Sequence, residues 1–457
     1  MKILILGAGQ VGTTVAESLV GEANDITIVD TDASKLRLLQ DRLDLRTLVG
    51  NASHPSVLEQ AGIADADMLL AVTQSDEVNM VACKLAASLH NTPTKIARIR
   101  ATDYLEHPDI FSDSNFCVDF SICPEQILTD YIRKLVEFPE ALQVLEFADG
   151  RVSLVAVKVF ADGPLVGRGL RYLRTHIPNV DTRVAAIFRQ DRPIIPEGDT
   201  VIEAGDEIFF IAATENIRAV MKELRSMDKP AKRVMIVGGG NIGRRLARVL
   251  ERDYQVKLIE YNKKVCGHLA ADLSHTLVLN GDGTDEKLLE SEHIADVDVF
   301  CALTNDDENN IMASLLAKKG GARKVVALIN RSAYVGVVQG GQIDIALSPA
   351  HVTIGSLLAY VRRGDVAVVH ALRRGAAEAL ELVVHGDRHS CGVVGRRIDE
   401  IELPKGATIG AVVRGEQVIM GHHDTVIAAG DHVIVFVINK EMINKIEKLF
   451  QVSAGFF

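Results

Sequence analysis

Residues 3–12 read ILILGAGQVG: four apolar residues, then three glycines spaced as Gly7-Ala8-Gly9-Gln10-Val11-Gly12. Working outward, VGTTVAESLV carries the apolar period of a helix, and ITIVD at 26–30 reads as a second strand closed by Asp30. In this order of strand, glycine turn, helix, strand and acid, each glycine has a physical task. Gly7 permits the tight turn, Gly9 lets backbone approach a pyrophosphate, and Gly12 lets the helix pack closely on its strand. The helix amino terminus offers unpaired N–H groups and a partial positive charge to phosphate. Asp30 stands 18 residues beyond Gly12, where an acid meets ribose hydroxyls and repels a 2′-phosphate, so the motif favours NAD(H) over NADP(H). The plain alternative is a glycine turn that holds no ligand.

The stretch returns as VMIVGGGNIG at 234–243, an offset of 231. Its parts are Gly238-Gly239-Gly240-Asn241-Ile242-Gly243, with Glu260 placed 17 residues beyond Gly243. At the same offset AVTQSDEVNMVACKLA (71–86) faces ALTNDDENNIMASLLA (302–317), with 8 of 16 positions identical. DTVIEAGDEIFFI (199–211) and DTVIAAGDHVIVF (424–436) agree at 7 of 13 positions, at an offset of 225. The chain therefore reads as a tandem duplication. Asn241 stands where the first copy has Gln10, and Arg244-Arg245 follow Gly243. The second site is thus open to another adenine nucleotide, ATP or ADP, or to staying empty.

Each half changes character near its middle. Short apolar runs (Ile3–Leu6, Ile26–Val29, Leu45–Val49, Met68–Val72, Ile96–Arg100, Val118–Ile122) alternate with helix-length segments, the pattern of a parallel doubly wound sheet. Pro124 and Pro349 then open helical segments, and smaller β-rich units follow, each with an AGD turn before its last apolar strand. SMDKPAKR (226–233) has the composition of a linker. The expected fold is α/β: two Rossmann-like doubly wound sheets at 1–124 and 232–349, each followed by a small β-rich α+β domain, at 143–226 and 368–450. That makes four domains, where 457 residues at about 150 per domain suggest roughly three.

Further candidates stand where strand ends line the same cleft. Gly50-Asn51-Ala52-Ser53 matches Gly281-Asp282-Gly283-Thr284, turns able to face an adenine edge. Thr73-Gln74 and Thr304 follow apolar strands, within reach of ribose or phosphate. The competing reading makes Asn51 and Thr73 caps of the helices that follow. Arg98, inside IARIR, is costly to bury without an anion, which a ligand pyrophosphate or a nearby carboxylate would supply; the second half has Leu328 there.

Composition narrows the function. Net charge is −11, which disfavours nucleic acid as a partner. Tryptophan is absent and aromatics are 5%, which argues against stacking platforms. Six cysteines form no CxxC pair and read as buried apolar residues in a reducing compartment. Mean hydropathy is +0.15, yet no run approaches 18 apolar residues and MKILILGAGQ is too short for a signal-peptide core, so a soluble cytoplasmic chain is expected. No Walker A, HExxH, G-x-S-x-G or EF-hand motif occurs, and HGDRHSC (385–391) reads as a solvated loop rather than a metal site. A dehydrogenase would need an acid/base beside the nicotinamide, and the small units offer no convergent His, Cys or carboxylate set.

Duplicated GxGxxG folds, each followed by a β-rich unit ending in AGD and an apolar strand, resemble the RCK (regulator of K⁺ conductance) architecture. Four such units in one chain closely resemble the TrkA family, peripheral nucleotide-binding subunits of bacterial Trk potassium uptake. The resemblance implies RCK N-terminal and C-terminal domains at the bounds above. It implies a homo-oligomeric ring on the cytoplasmic face of the inner membrane, bound to a membrane-embedded K⁺-translocating subunit, with nucleotide gating transport rather than feeding a reaction. It carries Gly7, Gly9, Gly12, Asp30, Thr73 and Arg98, with Gly238, Gly240, Gly243, Glu260 and Thr304, over as binding positions. An NAD-dependent oxidoreductase with an unrecognised substrate site stays open as the alternative.

Overall fold

The structure is a computed structural model that describes residues 1–452 apart from 21–23, 162, 177–179, 191, 225–229, 339–340, 362–365 and 373–376. Half of the linker expected at 226–233, residues 226–229, lies outside the described residues. The chain forms two compact units. Met1–Thr129 with Ile329–Ala333 and Leu347–Ile354 make the first, and the rest of the described chain makes the second.

In the first unit, β1 (Lys2–Leu6), β2 (Asp25–Asp30), β3 (Arg46–Val49), β4 (Met68–Ala71), β5 (Thr94–Arg98) and β6 (Phe120–Ile122) form one sheet in the order β3-β2-β1-β4-β5-β6. All its pairings are parallel. The order reverses between β1 and β4, and at such a point ligands bind outside the carboxyl ends of the strands. Ile3, Leu4, Ile5 and Leu6 are all buried, as a strand covered on both faces requires. The helix Asp76–His90 covers one face with Met80, Cys83 and Ala86.

The second unit holds three more sheets. β7 (Ala141–Phe147), β8 (Val152–Lys158), β9 (Thr182–Arg189), β10 (Arg192–Ile194) and β11 (Glu207–Ala213) form an antiparallel sheet in the order β10-β9-β11-β8-β7. β12 (Arg233–Val237), β13 (Gln255–Glu260), β14 (Leu277–Asn280), β15 (Val299–Ala302), β16 (Lys324–Leu328) and β17 (Ile345–Leu347) repeat the first sheet's order, β14-β13-β12-β15-β16-β17. β18 (Val366–Leu372), β19 (Ala377–Val383), β20 (Ala407–Arg414), β21 (Gln417–Met420) and β22 (His432–Val437) repeat the antiparallel sheet, in the order β18-β19-β22-β20-β21. The expected fold class is therefore the observed one, duplicated strand for strand. Pro124 and Pro349 are the first residues of the helices Pro124–Glu137 and Pro349–Val361, where a missing N–H loses nothing.

The two antiparallel sheets share a core. Leu145, Phe147, Leu154, Phe209 and Ile211 of one pack with Ala379, Ala411, Val413, Ile434 and Phe436 of the other. Gly410 is required here, because a Cβ would fall 2.6 Å from the Phe436 ring. Polar bonds cross the contact. Ala148 N–H donates to Glu381 Oε2 at 2.8 Å, and the Gln143 side chain donates to the Ala371 carbonyl at 3.0 Å.

The AGD turns have a purpose that sequence does not show. Gly205 and Gly430 take φ of +93° and +84°, and the following Asp206 and Asp431 are fully buried. Each carboxylate receives an arginine fork: Arg189 Nε at 2.8 Å on Asp206, and Arg414 Nε at 2.8 Å on Asp431. Each also accepts a turn N–H, from Glu203 at 2.9 Å and from Ala428 at 2.7 Å. All six cysteines are free and buried, and burial pushes the Cys83 and Cys301 thiols up to about 12. Among the described residues no helix is long and apolar enough to cross a membrane, and none group as a metal-binding cluster, the HGDRHSC loop included.

Candidate nucleotide-binding clefts

The glycines divide by what surrounds them. Gly7 has φ of +107°, and its counterpart Gly238 has +100°, so both turns need glycine for backbone reasons. A Cβ on Gly12 would lie 2.0 Å from the Gly7 carbonyl oxygen, and one on Gly243 would lie 1.9 Å from that of Gly238. Helix and turn are in contact there. Gly9 and Gly240 differ, since a Cβ on either would meet no protein atom within 4 Å. Each is the N-cap of its helix (Gln10–Leu19 and Asn241–Leu250), in extended geometry and with no side chain capping the first turn. Among the described residues, nothing in the packing demands glycine at these two positions.

The acids close the turns. Asp30 Oδ2 accepts from Ala8 N–H at 2.6 Å and its Oδ1 from Asp32 N–H at 2.8 Å. Glu260 repeats this with Gly239 N–H at 2.8 Å and Asn262 N–H at 2.7 Å, its longer side chain reaching the equivalent place. Both acids thus sit at the carboxyl end of the second strand, beside the glycine turn. Of the intervening residues, Val11 is buried and Gln10 donates from Nε2 to the Asn330 carbonyl at 3.4 Å. Asn241 and Ile242 open their helix, Asn241 exposed and Ile242 half-buried, ahead of the buried Gly243, Leu246 and Ala247.

The strand-end turns form, but not as helix caps. Asn51 Oδ1 accepts from Ser53 N–H at 3.0 Å, and Asp282 Oδ1 from Thr284 N–H at 2.9 Å, closing identical Asx turns. The helix after Asn51 starts at Pro55, with His54 at its N-cap. The helix after Thr73 is capped by Ser75, whose Oγ accepts from Val78 N–H at 3.2 Å. The capping reading of Asn51 and Thr73 is therefore corrected: each lies too far upstream of the helix start. Thr73 instead donates its hydroxyl to Asn79 Oδ1 at 2.7 Å, and Thr304 to Asn310 Oδ1 at 2.7 Å.

Asn79 and Asn310 were missed as site-building residues. Asn79 Nδ2 reaches the Arg98 carbonyl at 2.8 Å, and Asn310 Nδ2 the Leu328 carbonyl at 2.9 Å. One fully buried amide in each half thus ties the end of β4 or β15 to the end of the neighbouring strand. These bonds also establish Arg98 and Leu328 as equivalent positions. Both asparagines fall at identical places in the 16-residue echo, which was the available signal.

Arg98 finds its anion inside the protein: its guanidinium pairs with Glu125 at 2.9 Å, from the first turn of the helix Pro124–Glu137. Its Nε is buried without a partner, so its donors are not exhausted. Leu328 leaves the second cleft without that charge. Gln74 lies exposed beside the first cleft, its carbonyl accepting from Arg100. Arg244, expected to distinguish the second cleft, is turned to Asp272 at 2.6 Å, and this bond holds the Asp272 carboxyl below its usual range.

With this geometry in place, comparison with known proteins is informative. The TrkA-N domain model matches residues 3–112 and 234–349, and the TrkA-C domain model matches 154–225 and 388–451. A protein of Halomonas elongata named Trk system potassium uptake protein TrkA is 61% identical over 457 residues, all of both chains. One of the same name from Vibrio alginolyticus is 57% identical, also over the whole of both. Among solved structures, the GsuK channel bound to NAD superposes with a TM-score of 0.62 at 18% identity, covering 98% of this chain and 78% of that one, which shows a shared fold. Twice over in sequence, in sheet order and in domain content, the chain belongs to the TrkA family.

Proposed function

We propose that the chain is a nucleotide-sensing regulatory subunit of a potassium-uptake system, holding NAD(H) in the first cleft and NAD(H) or another adenine nucleotide, ATP or ADP, in the second. The observation that carries this reading is the pair of uncovered glycines, Gly9 and Gly240, each at a helix amino terminus beside an acid already hung on the turn. Asp30 and Glu260 would take the ribose hydroxyls, and the first-turn N–H groups the pyrophosphate. The full-length relatives named for potassium uptake and a fold neighbour solved with NAD support the same reading.

The charged groups at the first cleft are engaged in holding structure: Asp30 by N–H groups, Arg98 by Glu125, Asp76 by the N–H of Arg100 and Ala101. The reading therefore assigns the hydride no chemical role, and the chain is not an enzyme. Its partners are a membrane-embedded K⁺-translocating subunit, met at the cytoplasmic face, and further copies of itself in a ring. A ligand shifts such an assembly only by its differential affinity for two states. Moving a 1:99 equilibrium to 99:1 takes about 5.5 kcal/mol, while one site typically supplies about 1–3 kcal/mol. Duplicated sites in a ring add to the required total.

The test is potassium flux in vesicles carrying the membrane subunit and the purified chain, titrated with NAD⁺ and NADH. The expected result is a nucleotide-dependent flux that Asp30→Ala shifts to at least about tenfold higher nucleotide. Flux indifferent to nucleotide, or to Asp30→Ala, overturns the reading.

A further inference from the structure

The two clefts are not chemically equal at the residue after the acid. After Asp30 comes Thr31; after Glu260 comes Tyr261, whose side chain is 79% exposed, an unusual place for one of only seven tyrosines in the chain. Its carbonyl and that of Glu260 are held by the end of β14. Asn280 Nδ2, at the end of β14, donates to the Glu260 carbonyl at 3.0 Å and to the Tyr261 carbonyl at 2.9 Å, and Gly281 N–H donates to the Glu260 carbonyl at 3.0 Å. In the first half the residue paired with the acid is Val49, which has no amide to offer.

Tyr261 thus follows the ribose acid Glu260 at the carboxyl edge of the sheet, its carbonyl bonded by Asn280, two residues before the Asp282 turn expected to face adenine. An aromatic ring in water beside a nucleoside site has an unused apolar face, and every base has a π-face to meet it. Low aromatic content argues against an extended platform, but one ring suffices for one base.

We infer that Tyr261 is the adenine platform of the second cleft, giving it a preference for ligands carrying a purine base that the first cleft, with Thr31 at this position, does not build in the same way. The inference rests on the nucleotide reading above. Stacking of a base on an aromatic ring is worth about 5- to 150-fold in affinity, and an exposed ring belongs to the lower part, about 5- to 30-fold.

Tryptophan is absent from the chain, so Tyr261→Trp introduces a single indole as reporter. Its emission is expected to quench on adding ADP-ribose and to stay constant with ribose 5-phosphate. In the full-length chain carrying Gly9→Val to close the first cleft, calorimetry with ADP-ribose is expected to show about 5- to 30-fold weaker binding for Tyr261→Ala, and wild-type affinity for Tyr261→Phe. Equal affinity in Tyr261→Ala, or an unmoved indole at saturating ADP-ribose, overturns the stacking role alone. A folded Gly9→Val chain that binds no ADP-ribose overturns the second cleft as a nucleotide site.

Discussion

Gly9 and Gly12 sit three residues apart in one motif, yet substitution should affect them in opposite ways. Gly9→Val adds atoms to open space in a backbone conformation valine accepts, so the melting temperature should hold while NAD(H) binding to the first cleft is lost. Gly12→Ala drives a methyl to 2.0 Å from the Gly7 carbonyl oxygen, and should lower stability by at least about 2 kcal/mol in urea unfolding. If Gly9→Val melts early, or leaves affinity intact, the assignment of Gly9 to ligand rather than to packing fails. The motif glycines and acids were legible because their chemistry is local: spacing alone places them on a turn and at a strand end. The partner of Arg98 was not, since Glu125 reaches it from 27 residues on through tertiary structure that no spacing rule encodes, while Asn79, six residues past Thr73, left only its repeat in the echo as a signal.

The arginine–aspartate clasp is the feature that makes the AGD turn an element rather than a loop. Arg414→Ala strands a fully buried carboxylate at Asp431, and should destabilise the chain by about 3–5 kcal/mol. Arg414→Lys should recover little, because an ammonium cannot reproduce the fork. Near-wild-type unfolding of Arg414→Ala would refute the clasp. The repeated AGD was visible in sequence as a turn, but its buried aspartate was not, because the arginine lies 17 residues away at the end of β20, the strand that pairs with β22.

His370 on β18 bonds the Glu146 carbonyl at 3.0 Å and meets Phe147 edge-on, and burial pulls its pKa down to about 4. Between about pH 6.5 and pH 4 the unfolded chain therefore binds a proton that the folded chain refuses. Stability should fall by about 3 kcal/mol as pH drops through that window, about 2 kcal/mol of it between pH 7 and pH 5. His370→Gln should flatten the slope when urea midpoints are compared at pH 7 and pH 5; an unchanged slope would place the titration elsewhere.

At the scale of the whole molecule, duplication was the clearest message of the sequence, because two copies of one fold repeat their apolar periods and their turn chemistry together. What the repeat does not carry is its own divergence. Arg98 against Leu328 was visible as a difference, while Thr31 against Tyr261 acquired meaning only once the strand ends were in place. The shared core between the antiparallel sheets was likewise invisible, since inward-facing apolar residues announce burial but not the face that buries them.

The central claim, that both clefts hold a dinucleotide or adenine nucleotide as a signal, is met most directly by calorimetry of the full chain with NADH, followed by recovery of the ligand. Filling of the first cleft, abolished by Gly9→Val, a second adenine-nucleotide site abolished by Gly240→Val, and NADH recovered with its nicotinamide absorbance intact after hours are the results expected. Chains that bind none, or that consume NADH catalytically, would contradict it.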